Sequence, residues 1–155
     1  MKNKKKWVVI ILIFTLAIVG GILFFRINSS KVFTKAEYVK EVVVQNESFE
    51  SALDKFLDQV ISYNGSEAST KKLEETAVKI EEFVKLLEKE LGPKVPQNLK
   101  GHYEKMMGAY EIYIQAINMY VKAVPKAFGE DRTASIKEAD SKLKEAREAM
   151  KNLEV

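Results

Sequence analysis

The chain has 155 residues, with 25 lysines and arginines against 22 carboxylates, one histidine and no cysteine. The missing cysteine rules out disulfides, thiolate metal sites and a thiol nucleophile, and with them lipid attachment of the lipoprotein kind. The formal charge of +3 belongs to the N-terminus: Lys2, Lys4, Lys5, Lys6 and Arg26 carry it, and beyond Arg26 there are 20 cations against 22 anions, interspersed. No clustered cationic face remains for a phosphate backbone, so no nucleic-acid partner is expected.

The first element is an uncharged run, Trp7 to Phe25 (WVVIILIFTLAIVGGILFF). As a helix its roughly 19 residues would span about 28 Å, the hydrocarbon thickness of a bilayer. Trp7 stands where an interfacial aromatic belongs, and residues 1–6, through Lys2, Lys4, Lys5 and Lys6, place the N-terminus in the cytoplasm by the positive-inside rule. The run predicts a transmembrane anchor over 7–25, closed at Phe25. A cleaved signal peptide is the alternative, but its apolar core is shorter and ends at a small-x-small site. Val19-Gly20-Gly21 matches that poorly. Residues 26–33 form a short linker. Residues 34–155 are then expected as an extracytoplasmic domain of a single-pass protein in a bacterial plasma membrane.

Four segments follow, each with apolar residues at three and four spacings, the helical period. The first runs from about Thr34 to Tyr63. Thr34-x-x-Glu37 is a capping box, with Phe33 and Tyr38 placed as a hydrophobic staple. Its seam reads Val39, Val42, Asn46, Phe49, Leu53, Phe56, Val60, Tyr63, and Asn64-Gly65 is expected as a left-handed C-cap. The second begins near Ser66 with Leu73, Ala77, Ile80, Val84, Leu87 and Leu91, and Gly92-Pro93 stops it. The third starts at Pro96, with seam residues Leu99, Tyr103, Met106, Tyr110, Tyr113, Ile117, Tyr120 and Val124. Met107, Ile114, Val121 and Phe128 form a second stripe beside them. The fourth is capped at Thr133, or at Ser135 with Ser135-x-x-Glu138, and its seam is Ile136, Ala139, Leu143, Ala146, Met150, Leu153. The fold class is all-α: an anchor helix followed by an up-down-up-down antiparallel four-helix bundle, since short connections make sequence neighbours antiparallel. A three-helix bundle with a loosely attached fourth helix is the fallback.

The chemistry is sparse. A carboxylate di-iron site needs two Glu-x-x-His motifs, and His102 is the only histidine. Multi-imidazole zinc fails for the same reason. No Gly-x-Ser-x-Gly, P-loop or dinucleotide fingerprint occurs. No cofactor, metal or catalytic set is therefore expected, and the chain reads as a non-enzyme. One constellation stands out. Tyr103, Met106, Tyr110, Tyr113 and Tyr120 share a face of the third helix, and Asn46 on the first can reach it. Buried tyrosine hydroxyls need partners. The face reads as a core with Asn46 setting register, or as a groove for a small ligand or peptide helix.

Val95-Pro96-x-x-Leu99-x-x-His102-Tyr103, then Tyr110, Ala116 and Ala123, then Ile136, Ala139, Leu143 and Ala146 resemble a known pattern. It is that of small membrane-anchored or lipidated helical-bundle proteins of Gram-positive-type bacteria, whose function is unknown. The resemblance covers Pro96 onward and departs from the lipidated members in lacking cysteine. It implies an extracytoplasmic helical domain and no known active site. Sensor domains of chemotaxis receptors share the anchored bundle, but no second apolar span follows here. The expected function is a membrane-tethered module that binds an envelope protein, or itself, through a helix face. The rival is a small-ligand domain using the tyrosine–methionine face.

Overall fold

The computed structural model describes residues 31–126 and 129–153. The expected anchor from Trp7 to Phe25, the lysines Lys2, Lys4, Lys5 and Lys6, and Phe128 lie outside the described residues. Among the described residues no helix is long and apolar enough to cross a membrane. The described chain is all-helical and forms a helical bundle: α1 (Lys35–Ile61), α2 (Glu67–Leu91), two short 3₁₀ turns (Gly92–Lys94 and Gln97–Leu99), α3 (Lys100–Ala123) and α4 (Glu130–Lys151).

The capping box at the start of α1 is formed. Glu37 N–H donates to the Thr34 hydroxyl at 3.2 Å, and Thr34 N–H donates to the Glu37 carboxylate at 2.7 Å. Two of the helix's orphan donors are thereby satisfied. Phe33 is tied to the α2–α3 connection instead: its N–H donates to Lys94 O at 2.8 Å, and the Lys94 ammonium lies 5.8 Å from its ring centroid. The inward seam of α1 starts one residue earlier than expected and reads Tyr38, Val42, Gln45, Phe49, Leu53, Phe56. The helix also ends earlier. Ser62 closes it, its N–H and its hydroxyl both donating to Asp58 O. Gly65, with φ +78°, makes the following turn rather than the cap.

The seam of α2 is the one the spacing predicts: Leu73, Ala77, Ile80, Val84, Leu87 and Leu91 are all buried. Burying a large aliphatic side chain contributes roughly 1.5–3 kcal/mol, so this single stripe holds α2 to the bundle. At its end Gly92 lies beneath the Tyr103 side chain, which a larger residue would have to displace. A Cβ there would lie 2.9 Å from the Tyr103 hydroxyl. Pro96 precedes a 3₁₀ turn, and α3 begins only at Lys100.

Directions follow from paired side chains. Tyr38 meets His102 and Asn46 meets Tyr110, each across 64 residues. Phe49 with Tyr113 and Phe56 with Tyr120 keep the same offset, so α1 and α3 run parallel in one register. Tyr63 with Thr70 and Phe49 with Phe83 make α1 and α2 antiparallel. Lys126 with Ser135 and Tyr120 with Asp140 do the same for α3 and α4.

The flank of α3 differs from the expected one. Met107, Ile114 and Val121 are only half-buried, whereas Ala109, Ala116 and Ala123 are buried at seven-residue spacing. They face α4, whose own buried residues are Ala139, Leu143 and Ala146. Small side chains let helix axes approach closely, and these two helices make the most extensive contact of any pair among the described residues. With Tyr120 level with Asp140, Ala116 stands near Ala146 and Ala123 near Ala139. At equal rise per residue, Lys151 then reaches only the level of Ala109, so α4 covers the later turns of α3 and not its first ones. The expected caps of α4 are also displaced. The helix starts at Glu130, and the Thr133 and Ser135 hydroxyls turn back onto Gly129 O and Asp131 O inside it. Such local bonds compete with capping. Glu130 and Asp131 in the first turn complement the helix dipole instead.

Candidate functional site

The tyrosine face is assembled by α1, α3 and α4. Tyr110 is fully buried, and its hydroxyl donates to Asn46 Oδ1. Phe49 inserts beside it, with its ring centroid 4.6 Å from Tyr110 and 5.0 Å from Tyr113. Contacts of this kind are worth about 0.5–1.5 kcal/mol beyond area burial. Met106 lies at 0% exposure and Tyr113 at 1%. The Tyr113 hydroxyl is pushed up to about 12 by burial and by the Glu50 carboxylate, against the opposing pull of Arg147. The Tyr120 hydroxyl donates to Asp140 on α4, and its ring sits 6.2 Å from Phe56. Burial, then the bond to Asp140, raises its pKa well above the ordinary phenol value.

Asn46, Met106, Tyr110, Tyr113 and Tyr120 are therefore brought together, and Phe49 fills the space between them. The stripe forms interior, with the Tyr110 and Tyr120 hydroxyls tied to Asn46 and Asp140, rather than the wall of an open groove. Tyr103 is set apart. It is half-buried against α2, donating to Glu88 O at 3.3 Å.

The pair at the other end of this face is not visible in the residue spacing. The Tyr38 hydroxyl lies 2.8 Å from His102 Nδ1, with the rings edge-to-face at 5.7 Å. Burial pushes Tyr38 up to about 12, so its hydroxyl keeps its proton, and His102 is held below its ordinary value by burial and by Lys105. Reading the seam from Val39 instead of Tyr38 hid this contact, and only the α1–α3 register could bring residues 38 and 102 together. The pair fixes register in the same way as Asn46 with Tyr110. Among the described residues no group of three or more His, Asp or Glu is placed to hold a metal ion.

What the bundle offers outward is helix surface. Val43 and Val44 on α1 are 49% and 44% exposed. Glu47, Glu50, Asp54 and Asp58 follow on the same outward side at exposed positions. Their spacing of three and four places them along one face. No family model, no curated protein and no solved structure matches this chain.

Proposed function

We propose that the chain is a non-enzymatic, membrane-tethered module, an up-down-up-down four-helix bundle that meets another envelope protein through the outward face of α1. The anchor part of this reading rests on the charge-free run from Trp7 to Phe25 behind four lysines. The linker behind Phe25 is short, so the bundle's partner is a membrane or wall component close to the bilayer. The interaction part is carried by one observation: Val43 and Val44 stand exposed beside Glu47, Glu50, Asp54 and Asp58 on a single helix side. Such a face suits a cationic amphipathic helix, whose apolar stripe would cover the valines while its lysines or arginines meet the carboxylates.

The ligand-groove reading has weaker support. It would have to open a stripe whose central members, Met106, Tyr110 and Tyr113, are 0–1% exposed.

The chain's lack of cysteine makes the test direct. Single-cysteine variants Val43→Cys and Val78→Cys, both at exposed positions, are crosslinked in intact cells. The expected result is a stoichiometric adduct with one envelope protein from position 43 and none from position 78, abolished by Glu47→Lys with Asp54→Lys. Equal adducts from both positions, an adduct only with a second copy, or none at all would sink the reading. Recovery of the full chain from the soluble fraction would sink the anchor separately.

A further inference from the structure

We propose that Asn64–Gly65, in the turn between α1 and α2, is a self-modifying site at which the Asn64 amide is lost. The backbone nitrogen of Gly65, its proton passed to a solvent base, attacks Asn64 Cγ. The bond from Cγ to Nδ2 breaks and ammonia leaves, so that a five-membered succinimide joins the side chain to the backbone. Water then adds to one or other of its carbonyls and opens it to aspartate or to isoaspartate. One water is consumed and one ammonia released.

Three observations place this step here. The chain contains seven asparagines, and only Asn64 is followed by glycine, whose missing Cβ leaves the attacking nitrogen unobstructed. Asn64, Gly65 and Ser66 are all exposed and outside any helix, Gly65 has φ +78°, and nothing lies within 4 Å of where its Cβ would be. The turn is therefore open to solvent base, and no neighbouring side chain crowds Gly65.

The third observation concerns charge. Ser66 N–H donates to Asn64 Oδ1 at 3.0 Å. As the nitrogen attacks Cγ, negative charge develops on that same oxygen, and a donor already aimed at it stabilises the transition state without reorganisation. Ser66 is also the N-cap of α2. The positive end of the helix dipole favours both the developing charge and the carboxylate product. The two products differ in consequence. Aspartate at 64 keeps the bond from Ser66 N–H, whereas isoaspartate adds an atom to the main chain and shifts Ser66 relative to Tyr63, whose hydroxyl pairs with Thr70 at 2.8 Å.

The test follows the amide by peptide mass spectrometry, with separation of the isoaspartyl form, in the full chain held in mildly alkaline buffer. Asn98, Asn118 and Asn152, all exposed and each followed by Leu or Met, are internal controls. Asn64 is expected to convert at least about tenfold faster than any of them, a ratio equal to ~1.4 kcal/mol of barrier. It should also convert at least as fast in the folded chain as in urea, because the fold presets the Ser66 donor. Gly65→Ala should slow it. Similar rates at all four asparagines, or a folded chain slower than the unfolded one, would overturn the proposal.

Discussion

Replacing Ala116 by leucine probes the α3–α4 seam. Ala116 and Ala146 are both 0% exposed, and the register set by Tyr120 and Asp140 puts them near one another. The helices lie close because those side chains are single methyls. Three added carbons have no room unless α4 moves away. Overpacking of this sort costs typically 1–3 kcal/mol. For a domain of about 120 residues, each kcal/mol shifts the melting temperature by roughly 3–5 °C, so a drop of roughly 3–15 °C is expected. The matched control is Ala134→Leu on the exposed side of α4, expected to lie within about 0.5 kcal/mol of the parent. Urea unfolding of the full chain gives the free energies, and amide hydrogen exchange locates the change. Protection should fall across Glu130–Lys151 while α2, held by its own six-residue stripe, keeps most of its protection. If Ala116→Leu is neutral, or if α2 loses protection as much as α4, the close-packed seam is not what holds α4.

Phe49→Ala removes the ring between Tyr110 and Tyr113 and should cost about 3–5 kcal/mol, read as a lower urea midpoint with the slope unchanged. Thr34→Ala deletes the capping-box hydroxyl; a loss of about 1 kcal/mol is expected, and rescue by Thr34→Ser distinguishes capping from packing. His102 has a folded pKa below the ordinary 6.5, set by burial and by Lys105. The unfolded chain therefore binds more protons in the window below 6.5, and stability rises with pH there. The contribution is complete above the unfolded value and is lost as pH falls through the folded one. The denaturation midpoint should decline across that interval, and His102→Gln should remove that part of the slope; an unchanged slope would contradict the burial of the ring against Tyr38.

Elements were legible where one local rule acts alone. The α2 stripe from Leu73 to Leu91 follows from the 3.6-residue period, because a single apolar face with polar surroundings admits one inward orientation. The Thr34 capping box is likewise a matter of four adjacent residues. The start of α4 was not legible, since Thr133 and Ser135 can cap a helix or bond back along one. The same hydroxyls serve either purpose, and only the tertiary structure chooses between them. The C-terminus of α1 differs by a similar margin: Gly65 has the left-handed conformation expected of Asn64-Gly65, but Ser62 closes the helix first through Asp58 O.

The tyrosine face shows the division most clearly. Its membership was written in the sequence, because Met106, Tyr110, Tyr113 and Tyr120 fall on one side of any helix drawn through them. Whether that side is groove or interior depends on what stands opposite, and sequence spacing carries no distance between helices. The parallel register of α1 against α3 brought Phe49 between two tyrosines and Tyr38 onto His102. The alanines at 109, 116, 123, 139 and 146, individually weak signals of burial, became a close-packed seam once the antiparallel pairing of α3 and α4 set them face to face. Local periodicity determined which residues point inward. The offsets between helices, which arise only when all the side chains are packed at once, decided what each of them meets.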